Sequence, residues 1–157
     1  MTYPRPVHGN TTYMITRRCI ERLFMLHPCE LVNQVVTYAL AVAQKKHEIL
    51  IHTFCVMSNH WHASVTDVSG NLPNFCRDVN SMIARCLNAS RGRKGAFFES
   101  KQTHRLELMA PEDFYCWASY VVANPVAAGL VETPQEWPGL VSTRLNQTWC
   151  RRSSTTA

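Results

Sequence analysis

The sequence predicts an α+β domain in which an antiparallel sheet is covered by helices on one face. Short runs rich in β-branched and apolar residues alternate with three longer segments whose apolar residues recur at helical spacing. The order of these segments is strand, helix, two strands, helix, strand, helix, without an internal repeat or an interdomain linker. An antiparallel sheet with helices packed on one face accommodates that order most simply.

The first half of the chain contains a strand, a helix and two further extended runs. Residues 13–17 form the first strand, and residues 30–46 form an amphipathic helix that ends in cationic side chains, as the helix dipole favours. The runs 49–57 and 60–66 are both rich in β-branched residues. Because residues 58–59 are turn formers, these runs make either one bent strand or a hairpin.

The second half contains two more helices and one strand. The segment 72–87 has helical periodicity and ends near the glycine-containing loop 91–95. Residues 104–109 are the last strand candidate. Pro111 then starts a helix that we expect to end at Asn124, because Pro125 cannot donate a backbone hydrogen bond.

Length and composition are those of one ordinary globular domain. The chain has 157 residues, 46% of them hydrophobic and 17% charged, and we expect residues 1–150 to form a single domain followed by a disordered tail, residues 151–157. No stretch is apolar enough to span a membrane, and the polar start has no signal-peptide character, so we expect a cytoplasmic protein. The formal net charge of +5 makes an anionic partner plausible.

Two histidines flank a tryptophan at the start of the run 60–66. Alternation along a strand sends His60 and His62 to the same face, while Trp61 packs behind them on the other. Both imidazoles can therefore lean toward one divalent ion, as half of a metal site. A pair of surface or core-edge histidines is the simpler interpretation of these two residues by themselves.

The predicted last helix contains a tyrosine and an asparagine four residues apart. Tyr120 and Asn124 therefore stand on one helix face, one turn from each other. An amide oxygen beside two imidazoles would leave coordination positions open for a substrate phosphate. A helical tyrosine is more commonly a core residue with its hydroxyl at the rim, so Tyr120 alone indicates little.

Two segments resemble the signature blocks of a known enzyme family. Residues 56–65, VMSNHWHASV, and residues 119–131, SYVVANPVAAGLV, are similar to "MPNHVHLLV" and "YIxxNPVRAGLV" of the REP-associated tyrosine transposases, a branch of the HUH single-strand transposases. Weaker blocks at 13–18, 93–99 and 137–142 agree in order and spacing, so the resemblance covers nearly the whole domain.

The resemblance implies a fold, a reaction and a site. It implies a ferredoxin-like domain in which His60, His62 and Asn124 bind a divalent metal, Mg²⁺ or Mn²⁺, and Tyr120 is the nucleophile. Such an enzyme cuts and rejoins single-stranded DNA next to palindromic hairpins through a 5′-phosphotyrosine intermediate. The REP-associated branch favours a monomer, and a dimer that exchanges the tyrosine helix is the alternative known from insertion-sequence relatives.

A single-stranded or hairpin DNA partner requires a basic track and aromatic platforms for bases. Phe97 and Phe98 follow a basic loop and are either such platforms or core residues. The candidate phosphate contacts are the basic residues Arg17, Arg18, Arg91, Arg93, Lys94, Lys101 and Arg105.

Two other functions compete with this prediction. A domesticated module that binds DNA hairpins without cleavage would need the fold but not the nucleophile. Hydrolases and oxygenases of β-barrel type also hold metals on HxH strands, but they need many short strands, whereas this chain has three helical segments.

Overall fold

The computed structural model describes residues 8–143, which form one sheet, three α-helices and two short 3₁₀ turns. The predicted tail, residues 151–157, and the polar start, residues 1–6, lie outside this part of the chain. The elements in chain order are β1 (Thr11–Arg18), α1 (Glu30–His47), β2 (Ile49–Val56), β3 (His60–Asp67), α2 (Leu72–Ser90), β4 (His104–Glu107) and α3 (Pro111–Ala127).

The four strands form a single antiparallel sheet in the order β2-β3-β1-β4. This βαββαβ arrangement is the ferredoxin-like pattern, so the predicted fold class is confirmed. β2 and β3 are a hairpin, which the Met57 backbone N–H closes by donating to the His60 carbonyl over 2.8 Å. The run 49–66 is therefore two strands rather than one bent strand.

A bulge in β2 changes which of its residues face which side. Ile51 pairs with Val65, but the next pair is Thr53 with Ser64, so His52 is the extra residue. Before the bulge Ile51 lies in the larger core, whereas after it Cys55 points to the opposite face of the sheet. The bulge thereby aligns Cys55 with His62, its partner in β3.

One face of the sheet is the main hydrophobic core. Trp61 of β3 is fully buried there, in one cluster with Phe75 and Ile83 of α2 and Leu40 of α1. The Asp67 carboxylate at the end of β3 starts α2, because it accepts backbone N–H bonds from residues 70, 71 and 72 at 2.8–2.9 Å. This apolar face and its helix cap hold the sheet in place.

The third helix lies on the opposite face, which corrects the prediction that all helices pack on one face. Val121 and the partly buried Trp117 of α3 contact Met14 and Cys55 of the sheet in a second, smaller core. The strands carry this second apolar set at alternate positions, so both faces need a cover. α3 also continues to Ala127 with Pro125 inside it, rather than ending at Asn124.

Among residues 8–143, no helix combines the length and the hydropathy needed to cross a bilayer.

Candidate active site

The two histidines of the HxH pattern lie side by side on the α3 face of the sheet. The ring centroids of His60 and His62 are 4.5 Å apart, with their planes nearly perpendicular. His62 is only 5% exposed and His60 is partly buried. Trp61 lies on the opposite face, as strand alternation predicts.

Each imidazole is oriented through its Nδ1 atom. His60 Nδ1 lies 2.5 Å from the Asn59 side-chain oxygen, which can only accept, so Nδ1 carries the proton. His62 Nδ1 lies 2.7 Å from the hydroxyl of Thr16, which also lies 3.4 Å from the sulfur of Met14, and with the hydroxyl proton on that sulfur Nδ1 is the donor to Thr16. These assignments follow from the hydrogen-bond pattern and leave both Nε2 atoms with a free lone pair.

The remaining nitrogen of His62 is buried without a partner. His62 Nε2 makes no hydrogen bond within the described residues, although it is excluded from solvent. A buried acceptor of this kind is costly unless something binds it. A divalent cation would satisfy this lone pair, and so the residues present fit the metal that the resemblance implies.

Both imidazoles are kept neutral, as metal ligation requires. Burial lowers the pKa of His60 to about 4, with a smaller contribution from the nearby positive charge of Arg18. Burial likewise lowers the pKa of His62 to about 3, and His60 and Arg18 add to the effect. At neutral pH neither ring carries a proton that would compete with a cation.

The tyrosine of α3 lies next to the histidine pair. The Tyr120 and His62 ring centroids are 5.9 Å apart, and Trp117 contacts Tyr120 from the preceding turn at 5.4 Å. Tyr120 is 45% exposed, so its side chain is accessible to a substrate and is not enclosed in the core. The phenol and the imidazoles therefore share one side of the sheet.

Asn124 follows one turn later and is only 8% exposed. Its side-chain amide makes no hydrogen bond within residues 8–143. The described residues contain no cluster of three His, Cys, Asp or Glu side chains that could hold a metal. A site centred on the histidine pair thus needs a ligand of another type, and an amide oxygen is suitable.

Of the predicted DNA contacts on β1, Arg18 and Arg17 have different environments. Arg18 is exposed beside the histidines, whose pKa values it lowers. Arg17 donates to the carbonyls of Glu99 and Lys101 and lies 5.4 Å from the Phe98 ring. Arg17 therefore holds the segment before β4, and burial lowers its pKa.

The basic loop after α2 is also partly structural. Arg91 donates to the Met25 carbonyl, and Arg93 donates to the Asn88 side chain and the Ala96 carbonyl. Lys94 is exposed. Phe97 and Phe98 are only 2% and 7% exposed and lie in the main core, so they are not platforms for bases.

The last two predicted contacts, Lys101 and Arg105, lie before and within β4. Lys101 is exposed and Arg105 is partly buried. Thr16 and Asn59, which orient the imidazoles, were missed. The Thr16 contact depends on the pairing of β1 with β3, which the sequence alone does not specify, whereas Asn59 could have been noticed as the polar neighbour of His60.

Comparisons with known proteins agree with this fold. No family model and no curated protein sequence matches the chain. A solved structure of a REP-associated tyrosine transposase bound to a REP hairpin superposes with a TM-score of 0.76 at 16% identity, covering 94% of this chain and 86% of that one. A proposed transposase from Deinococcus radiodurans R1 superposes with a TM-score of 0.50 at 14% identity, over 79% of this chain and 97% of the other. The chain therefore has the fold of a REP-associated tyrosine transposase.

Proposed function

We propose that this protein is a metal-dependent single-stranded DNA endonuclease and strand transferase that acts next to palindromic hairpins. One observation carries the proposal: the HxH imidazoles and the exposed phenol of Tyr120 converge, with His62 in ring contact with both His60 and Tyr120. A helix and a strand that are far apart in sequence contribute these groups, which a purely structural cluster would not require.

The residues have distinct roles in this reaction. His60, His62 and Asn124 would hold Mg²⁺ or Mn²⁺, which supplies Lewis-acid polarisation of the scissile phosphate. The Tyr120 oxygen attacks phosphorus, the bond to the 3′ oxygen breaks, and that oxygen leaves as a 3′-hydroxyl. The 5′-phosphotyrosine retains the phosphodiester energy, so a later 3′-hydroxyl can displace the tyrosine and rejoin strands without a nucleotide cofactor.

Burial and charge support these roles. Tyr120 is exposed enough to meet DNA, whereas the imidazoles beside it are shielded and uncharged. Arg18 places a positive charge beside them, where it can contact a phosphate. The hairpin-bound relative supports a hairpin DNA as the partner.

Covalent adduct formation tests the proposal. The protein is incubated with labelled hairpin oligonucleotides and Mn²⁺ or Mg²⁺, and an SDS-resistant protein–DNA adduct is sought on gels. We expect an adduct with the wild type and none with Tyr120→Phe. Tyr115→Phe is the matched control, because Tyr115 is on the same helix, is 69% exposed and has no ring contact with His60 or His62 among the described residues.

Three results would contradict the proposal. Equal adduct formation by the wild type and Tyr120→Phe would show that Tyr120 is not the nucleophile. Binding of hairpins without any cleavage would favour the DNA-binding module that lacks activity. Cleavage with free turnover and no covalent adduct would indicate a hydrolase, in which water and not tyrosine is the attacking group.

A further inference from the structure

A cavity of about 460 Å³ lies on the main-core face of the sheet, opposite the histidines. Its walls are the first half of α2 and the segment that leads into β4. Its volume lies within the ~300–1,000 Å³ typical of small-molecule sites. Nothing in the proposed reaction uses this cavity.

The rim of the cavity is cationic. It is lined by Arg17, Arg77, Lys101 and Arg105, and by no carboxylate side chain of residues 8–143. Lys101 is exposed and has no ion-pair partner within the described residues. Arg77 is ion-paired with Asp78 at 3.1 Å, and Arg17 donates to two backbone carbonyls. The Lys101 ammonium is therefore the rim group best able to attract an anion.

The interior is apolar and is built on fixed side chains. Leu72 and Cys76 of α2 are nearly fully buried and contribute apolar surface. Asn80 is held at the wall, since its side-chain oxygen accepts from Trp61 Nε1 and its side-chain nitrogen donates to the Thr103 hydroxyl. An apolar interior beneath a cationic rim is complementary to a planar base that carries a phosphate.

The cavity lies at the same end of the sheet as the histidine pair. In the β1–β3 ladder Arg18 pairs with His60, and in the β1–β4 ladder Thr16 pairs with His104. The cavity segment directly precedes His104. Neighbouring residues of β1 thus serve opposite faces, with Arg18 beside the histidines and Arg17 in the cavity wall.

We propose that this cavity binds one unstacked nucleotide of the same DNA strand that enters the histidine site, with its base in the apolar interior and its phosphate at the cationic rim. The proposal rests on the proposed function and adds a second point of contact to it. Arg18 and the segment that leads to Lys101 are neighbours, because the Glu99 backbone N–H donates to the Arg18 carbonyl at 3.1 Å. Nucleotides outside a duplex are available for such binding, because their bases are already unpaired and cost least to unstack.

Binding of flanked hairpins tests the proposal. Full-length protein carrying Tyr120→Phe, which keeps the strand intact, is titrated by fluorescence anisotropy with a DNA hairpin that has oligothymidine flanks, and with a blunt hairpin. One abasic site is moved through the flanks. We expect a single position to lower affinity by about five- to hundredfold, the range for loss of one stacked base.

Two cavity variants and one control complete the design. Gln102→Trp fills the cavity from its exposed wall, and Lys101→Glu reverses charge at the rim. Both variants should lower the affinity for the flanked hairpin and leave the affinity for the blunt hairpin unchanged. In Gln102→Trp, an abasic site at the sensitive position should lower the affinity no further. Lys45→Glu changes net charge equally on exposed α1 surface and should bind like the parent protein.

Several results would overturn the proposal. One is that no abasic position lowers the affinity, another is that the cavity variants lower the affinity for blunt and flanked hairpins equally, and a third is that the flanked hairpin does not bind. A fourth is that thymidine 5′-monophosphate competes equally with the blunt and the flanked hairpin. The last would mean that a free nucleotide is the occupant. Adduct formation by Tyr120 is scored separately, so either proposal can fail while the other stands.

Discussion

The two faces of the sheet differ in chemistry although they are built from the same strands. Beneath α1 and α2, the buried residues of β3 are Trp61, Ala63 and Val65. Beneath α3, the intervening residues are His60, His62 and Ser64, and their neighbours in β1 and β2 include the hydroxyls of Thr16 and Thr53. Because side chains alternate along the strand, each residue of β3 that stabilises the main core is followed by one that faces the candidate site.

The largest expected effect comes from substituting adjacent residues on opposite faces. Trp61→Ala should lower the free energy of unfolding by about 3–5 kcal/mol, because it empties the centre of the main core. His62→Ala should cost less than about 1.5 kcal/mol, since it also removes a buried nitrogen without a partner. Urea unfolding measures both, and equal losses would contradict the division between the faces.

The next largest effect is the pH dependence of stability that the buried histidines cause. In the metal-free protein the pKa values of His60 and His62 are about 4 and 3, whereas an unfolded histidine has a pKa of ~6.5. Below pH ~6.5 the unfolded chain binds protons that the folded chain does not, so stability falls as the pH falls and levels off only below about pH 3, the folded pKa of His62.

The variant His60→Gln/His62→Gln separates the contribution of the two histidines from that of the carboxylates, which the variant retains. Its stability should change less than that of the wild type between pH ~7 and pH ~4.5, in urea titrations with EDTA present. Parallel curves for the two proteins would show that the imidazoles titrate normally.

A smaller loss of stability is expected from a substitution at the end of β3, where the strand leads into α2. Asp67→Ala removes the acceptor for three backbone N–H groups at the start of α2 and should destabilise the protein by about 2 kcal/mol. Hydrogen exchange should accelerate in the first turn of α2 and remain unchanged in α3. Acceleration confined to α3 would contradict the assignment of Asp67 to the α1–α2 side.

The smallest change concerns the orientation of one imidazole. Thr16→Val removes the group that accepts from His62 Nδ1 and should weaken Mn²⁺ binding by about tenfold, while Thr16→Ser should retain it. Calorimetric titration with Mn²⁺ measures the three proteins. Wild-type affinity in Thr16→Val would mean that strand geometry alone orients the ring.

Local patterns predicted most of the fold. The elements, their order and the α+β class follow from periodicity, and the helix from Pro111 follows from its first-turn residues. The placement of α3 did not follow, because Met14 and Cys55 become one apolar patch only after the strands pair and the bulge at His52 shifts the register. Pro125 is accommodated near the end of a helix, although a proline usually marks a boundary.

The site was predictable to the extent that it depends on adjacency. His60 and His62 share a face by alternation, but their approach to Tyr120 is tertiary and was expected only through resemblance. Charge alone did not reveal that Arg17 is bound by backbone carbonyls. Phe97 and Phe98 could equally have been platforms, and only their burial distinguishes the two roles.

The central claim is that the paired imidazoles and the α3 phenol share one cation. Crystals grown with Mn²⁺ and measured for anomalous scattering test it most directly. We predict one manganese bound by Nε2 of His60, Nε2 of His62 and the amide oxygen of Asn124, with the Tyr120 hydroxyl facing it. Manganese bound elsewhere, or a histidine pair that stays empty at saturating Mn²⁺, would contradict the claim.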